Sequence, residues 1–251
     1  MGRMMRSTLS PAFTSSKMKL MVPFMMDVGD QMMLNLKNTI KESGSEYLEV
    51  DVKDLTTRFA CDVIATCAFG LKVDSRSERN NQFYTQGLIA STFKFKQLLL
   101  FFVASAFPWL VARLNFKLFA EESQNFFRDI VISTMSERER HNIHRPDVIH
   151  LLMEAKKGKL THDEKVQDTD VGFATVEEST FGKKDVSDRT WSDDDLIAQA
   201  VLFFIAGFET VSSTMTLLLF ELALNPEVQE KLAAEIRGME AKTKGKLDLN
   251  S

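Results

Sequence analysis

The chain has 251 residues, 44% hydrophobic and 26% charged, with a net charge of −4. That is the composition of a folded domain with room for one sizeable core. No basic stripe runs along it, which argues against a nucleic-acid partner.

The first residues, Met1-Gly-Arg-Met-Met-Arg6, lack the apolar centre of a signal peptide. Ser15 to Ser43 reads as a helix, with Leu20, Phe24, Val28, Met32 and Leu36 spaced by four along one face. Nine of the 13 methionines fall in the first 33 residues. A methionine-rich face suits adaptable core packing, or a grip on varied partners. Gly44 ends this helix, and Val50-Asp-Val-Lys-Asp-Leu55 opens the next, which runs to about Phe69 and stops at Gly70. It carries Cys61 and Cys67, the only cysteines. Six apart on one helix, they point in different directions and cannot easily bridge. Reduced, buried thiols fit a chain facing the cytosol.

Ser75 to Asn81 is a polar loop, and a helix then leads into Leu98-Leu-Leu-Phe-Phe-Val-Ala-Ser-Ala-Phe-Pro-Trp-Leu-Val-Ala112. That run is too short to span a bilayer comfortably, and Pro108 breaks it. It reads either as a loop buried on the core or as a segment dipping into a membrane surface. Asn115 to Arg140 is a long helix, apolar at Leu118, Phe119, Phe126, Phe127, Ile130 and Val131. Its charged end, Glu137-Arg-Glu-Arg-His-Asn-Ile-His-Arg145, is expected to be solvated. His141 and His144 could share a face, yet no nearby acid or cysteine completes a metal site. Pro146 starts a short helix through Ala155. Residues 156–192 are mostly polar and read as a mobile connector, not a domain boundary.

Residues 193–225 form the most apolar stretch, read as one long helix, hydrophobic nearly all round, of the kind that occupies the middle of a large core. At its centre stands Ala206-Gly-Phe-Glu-Thr210. Glycine costs about 1 kcal/mol against alanine in a helix, and Glu209 is expensive to bury without partners. Thr210 can bond back to a carbonyl one turn earlier. A small residue, an acid and a hydroxyl in an apolar wall suggest a close-lying ligand and a route for protons. On periodicity alone the plainer reading is a core helix. Its glycine would admit another helix, and its glutamate would pair with a buried arginine. Asn225-Pro-Glu-Val-Gln-Glu-Lys-Leu232 then begins a further helix, with Asn225 as cap, Pro226 in the first position and Glu227 at the positive dipole end.

No Gly-x-Gly-x-x-Gly, P-loop, His-Glu-x-x-His, Gly-x-Ser-x-Gly or Cys-x-x-Cys is present. The ordered set of AGFETVSST, an apolar half-helix and NPEVQEKLAAEI resembles helices I and J of a cytochrome P450. Gly2-Arg-Met-Met-Arg-Ser-Thr-Leu-Ser-Pro-Ala-Phe-Thr14 looks like that family's helix C segment, and Cys61-Asp-Val-Ile-Ala-Thr-Cys-Ala-Phe-Gly70 like the end of its helix E. The style is that of insect microsomal P450s. The resemblance implies a mainly α, partial P450 fold covering helices C to J, with residues 1–251 one partial domain and 193–225 its central I helix.

The family's haem-ligand loop around a cysteine finds no match in these residues. Glu137-Arg-Glu-Arg140 fits the family's Glu-x-x-Arg element by letters only, at the wrong place. The chain is thus expected to be the middle of a longer protein, without anchor helix or thiolate loop. The resemblance further implies that Ala206 and Gly207 are small to leave room for haem and dioxygen. Thr210 would steady the oxygen and relay protons through water, and Glu209 would hand protons inward. Arg6 would pair with a haem propionate, with Arg3 a second basic position. Gly2 stands where the family usually has tryptophan. The 98–112 segment would be a membrane-facing access lid.

The expected activity is insertion of one oxygen atom of O2 into small lipophilic substrates. Electrons would come from NADPH through a P450 reductase, at the cytosolic face of the endoplasmic reticulum membrane. The competing expectation is a truncated, inactive helical protein without haem. A helical membrane-associated ligand carrier is disfavoured, because a carrier has no need of an acid and a hydroxyl beside a glycine.

Overall fold

The computed structural model describes residues 15–92, 121–157 and 191–243, together with 102, 103 and 106, and side chains from residue 18 onward. Arg3, Arg6, most of the 98–112 segment and nearly all of the 156–192 connector lie outside the described residues. Within them the chain is built of helices alone: α1 (Ser15–Ser43), α2 (Val52–Ile64), α3 (Gln82–Ser91), α4 (Glu121–His141), α5 (Val148–Lys156), α6 (Asp193–Leu224) and α7 (Pro226–Thr243). The mainly α class expected from the sequence is what the structure has.

Local signals explain most boundaries. Asp51 caps α2 by accepting from the Asp54 amide, and Asn81 and Asp147 cap α3 and α5 in the same way. Ser192 and Asp195 form a reciprocal capping box at the start of α6. Asn225 departs from expectation. Its side-chain amide turns back to the Glu221 carbonyl at 2.9 Å instead of capping α7, while its main-chain carbonyl accepts from Val228 and Gln229. The helix read to Phe69 also changes character: after Ile64 it widens into a π turn, Ala65–Phe69. Gly70 closes that turn with φ +69°, a backbone region in which glycine carries no Cβ penalty.

The core forms where α2, α3, α4 and α6 meet. Phe69, Phe83, Phe127, Phe204 and Phe208 are buried there together. Phe83 and Phe204 lie edge to face with ring centroids 5.4 Å apart, and Phe127 sits 4.9 Å from Phe204. Full burial of one such side chain contributes about 1.5–3 kcal/mol. Gly87 makes this packing possible: a Cβ there would lie 2.5 Å from Phe204 Cζ.

One expectation about faces holds along most of its helix and one is corrected. In α1 the buried side chain is Met21, while Leu20 is exposed. Phe24, Val28, Met32 and Leu36 are half-buried, as their spacing predicts, and Met21, with Phe24 and Met25 beside it, docks α1 on Cys67 and Leu151. In α6, burial follows a single stripe, Leu196, Ala200, Phe204, Phe208 and Ser212. Leu217, Leu218, Phe220 and Leu224 are exposed, so the helix is not enclosed all round. It is also long and apolar enough to cross a membrane by length and composition, but its stripe is the core of the α2–α6 packing.

Candidate functional site

Helix α2 crosses α6 over their full contact, and a ladder of hydroxyls fixes the pair. Thr57 Oγ1 and Ser212 Oγ lie 2.6 Å apart, and Thr56 Oγ1 and Thr216 Oγ1 2.8 Å. These groups are satisfied inside the interface, where an unpaired hydroxyl would cost roughly 1–3 kcal/mol. The ladder fixes the rotation of α6 about its own axis, and so decides where Ala206 to Thr210 point.

Those five residues divide among three directions. Phe208 points into the core and is fully buried. Gly207 faces α2: a Cβ there would stand 3.2 Å from Ile64 Cδ1. The glycine thus serves close helix packing, as the plainer sequence reading has it. Ala206 and Thr210, one turn apart, share the opposite, exposed face. Thr210 Oγ1 donates to the Ala206 carbonyl at 2.5 Å, the back-bond expected from the sequence. The hydroxyl proton is therefore occupied and its lone pairs are the part turned to the open face.

Glu209 is not the buried acid that the sequence suggests. Its side chain is 52% exposed and its partner is not an arginine but Lys53, whose Nζ donates to Oε1 at 2.8 Å. Ser213 Oγ donates to the same oxygen at 3.1 Å. The hydrogen bond from Lys53 holds the carboxyl below the usual glutamate range, with Ser213 and the Lys53 charge adding to it and partial burial opposing. Glu209 is therefore ionised and directed toward α2. Being adjacent in sequence, it stands roughly 100° round the helix from Thr210.

The thiols lie elsewhere. Cys61 and Cys67 are both buried in the α2 region, and Cys61 belongs to the aromatic core. Burial pushes both thiols up, Cys67 to about 11. A thiol this reluctant to ionise is a poor metal ligand, since the thiolate is the binding form. Neither is on the Ala206–Thr210 face.

At the far end of α4 the charged run is not simply solvated. Arg138 is only 5% exposed and forms a two-pronged pair with Asp147, 2.6 Å on each prong. Arg145 joins through Nε at 3.2 Å. His141 pairs with Glu137, whereas His144 lies edge to face with His150, so the two histidines do not converge. No cluster of three metal-ligating side chains occurs among the described residues.

Sequence reasoning missed Lys53 and the Arg138–Asp147 pair. No local pattern marks Lys53; its partner is 156 positions away. For Asp147 a signal existed, an acid just before a short helix with an arginine nine residues earlier.

A family model described as Cytochrome P450 matches residues 2–248. The chain is 39% identical over 254 residues to "Cytochrome P450 9e2" of Blattella germanica, covering 97% of this chain and 45% of that protein. It is 39% identical over 242 residues to "Probable cytochrome P450 9f2" of Drosophila melanogaster, covering 96% and 43%. To "Cytochrome P450 6a2" of the same fly it is 34% identical over 251 residues, covering 98% and 45%. The chain spans less than half the length of these curated relatives.

Proposed function

The chain belongs to the cytochrome P450 family, and from that premise we propose that it is the oxygen-activating part of a haem-thiolate monooxygenase of the insect microsomal type. The whole protein would insert one oxygen atom of O2 into small lipophilic substrates, xenobiotics or endogenous lipids. Electrons would come from NADPH through a P450 reductase at the cytosolic face of the endoplasmic reticulum membrane. One observation carries the reading. Ala206 and Thr210 share an open face of α6, and an ionised carboxylate, Glu209, stands at its edge.

That face fits a flat prosthetic group. Ala206 adds only a methyl, and Thr210 keeps its hydroxyl close to the helix by bonding to the Ala206 carbonyl. Arg6 would hold a propionate from outside the described residues. Gly207 contributes indirectly, by letting Ile64 and hence α2 seat against α6. Haem with a thiolate ligand supplies the binding and reductive activation of dioxygen. The residues of this chain supply protons and order water. Thr210 Oγ1 accepts a hydrogen bond from water on the open face while its own hydrogen rests on the Ala206 carbonyl. Passing a proton inward requires that this back-bond open. Glu209 collects protons from solvent, to which its side chain is half open.

The burial of both cysteines favours a second reading for the chain taken alone, as a helical protein that does not form a haem-thiolate site. One experiment tests the monooxygenase reading. The full-length protein, supplied with reductase, NADPH and ¹⁸O2, should form product carrying one ¹⁸O atom. Product without label, or no NADPH-dependent product over a panel of lipophilic substrates, would overturn the monooxygenase reading.

A further inference from the structure

Lys53 sits in the first turn of α2, next to the Asp51 cap, and reaches across to α6. Its Nζ donates at once to Glu209 Oε1, at 2.8 Å, and to Ser213 Oγ, at 3.0 Å. Ser213 Oγ in turn donates to Oε1 at 3.1 Å, closing a triangle of three side chains. The hydroxyl ladder of Thr56, Thr57, Ser212 and Thr216 fixes the base of the lysine stem against α6. The main chain of Lys53 is therefore held within reach of the acid as long as the two helices stay together. Its neighbour Asp54 does not compete for it, being engaged by Arg58 Nε at 2.9 Å and Tyr84 Oη at 3.0 Å. Among the described residues, Lys53 is the charged group whose field acts on Glu209.

We propose that Lys53 is a positioning residue for Glu209. Shared between Glu209 Oε1 and Ser213 Oγ, its ammonium holds the carboxylate on the α2 side of α6. Protons reach Thr210 when that carboxylate lets go of Lys53 and turns to the Thr210 side. The inference rests on the relay role given above to Glu209 and Thr210.

The geometry suits a latch and not a permanent lock. Lys53 is 44% and Glu209 52% exposed, and half-exposed ion pairs are held weakly and exchange readily with water. The lysine head is a compact charge on a flexible stem with rotatable donors, so it can release the carboxylate and recapture it. A carboxylate under a lysine also stays ionised and ready to take a proton from solvent. Once protonated, it loses the attraction that turned it toward α2. Proton uptake and reorientation are thereby coupled in a single side chain.

The test has two readouts. In the 251-residue chain labelled at glutamate carboxyl carbons, Glu209→Gln assigns the Glu209 resonance and a pH titration follows it. Wild type should titrate below the ordinary glutamate range. Lys53→Met should move the midpoint up to it, Lys53→Arg should keep it low, and Ser213→Ala should move it part of the way. Ser213→Ala also serves as the probe if Lys53→Met does not fold. In the full-length holoenzyme, product per NADPH is measured against pH. Lys53→Met should shift the acid limb upward, and Lys53→Arg should restore it. An unmoved Glu209 midpoint in the lysine and serine variants overturns the proposal. So does an unshifted acid limb in Lys53→Met when Glu209→Gln is itself impaired. If Glu209→Gln instead couples like wild type, the relay reading of Glu209 fails, and the inference built on it falls too.

Discussion

Asp147 holds Arg138 by two parallel bonds of 2.6 Å directly against Gly70, in space that any other residue at position 70 would fill. A Cβ on Gly70 would collide with Arg138 Nη2 and stand 2.8 Å from Asp147 Oδ2. The exit of the π turn, the end of α4 and the cap of α5 are thus one structural unit. A planar guanidinium meeting a carboxylate with both prongs is the strong geometry for such a pair.

Breaking that unit should be costly. Removing one partner of a buried pair leaves the other charge uncompensated, at a cost of about 3–5 kcal/mol. Asp147→Ala should lie at the upper end, since it also removes the α5 cap and a partner of Arg145. Gly70→Ala should cost at least about 1–2 kcal/mol from its left-handed backbone alone, and more from the clash. Urea unfolding of the three variants, with Arg138→Met as the third, measures this. Losses below 1 kcal/mol in all of them would mean that the junction is not a structural centre.

Asp62 gives a pH dependence. Burial pushes its carboxyl up to about 6, even though the Ser75 amide donates to both oxygens at 3.2 Å. The unfolded chain ionises Asp62 near the ordinary aspartate value, the folded chain only near 6. Its contribution is therefore fully present below the unfolded value and is lost as pH rises through the folded one. Asp62→Asn should remove this dependence, so wild type should lose stability relative to the variant between about pH 4 and pH 7. A stability difference that stays level across that window would contradict the expectation.

Thr210 is exposed and its hydroxyl bonds only within its own helix, so Thr210→Ala should leave folding nearly untouched. In the full-length protein, on the proposed function, the same change would remove the hydroxyl assigned to order water on the open face. Electrons should still arrive, but more reduced oxygen should leave as hydrogen peroxide. Proton relays contribute about 10²–10⁴-fold, and water can partly stand in, so a loss near or below 10² in product formation is expected. Glu209→Gln should slow turnover as well, by removing the ionisable group while keeping its shape. Product formed and peroxide released per NADPH decide it. Unchanged coupling and rate in both variants would make Glu209 and Thr210 structural.

The chain expressed by itself should show no carbon monoxide difference band of the thiolate-haem type when mixed with haemin. Both thiols are sealed in the α2 region and held protonated by burial. A clear thiolate band from the purified 251-residue chain would overturn this. A weak histidine-type spectrum would not, because exposed His141 or His144 can ligate added haemin.

Helix positions were legible because their causes are local. The α1 span from Ser15 to Ser43, the stop at Gly70 and the start of α7 at Pro226 follow from caps, glycine and proline acting within one turn. The Thr210 back-bond to Ala206 was legible for the same reason: a hydroxyl can reach the carbonyl one turn back whatever surrounds the helix. The family pattern, too, lives in short ordered strings, and the match over residues 2–248 agrees with them. What the sequence by itself determined was therefore the helical class, most of its boundaries and the grouping of Ala206, Glu209 and Thr210 on one stretch. What a given helix face meets depends instead on how distant helices cross, and no periodicity encodes that. Only the tertiary structure decided that Gly207 admits Ile64, that Glu209 is half exposed and held by Lys53, and that Arg138 is buried on Asp147. The physical reason is the rotation of each helix about its own axis, which is fixed by long-range contacts such as the Thr57–Ser212 hydroxyl pair across α2 and α6.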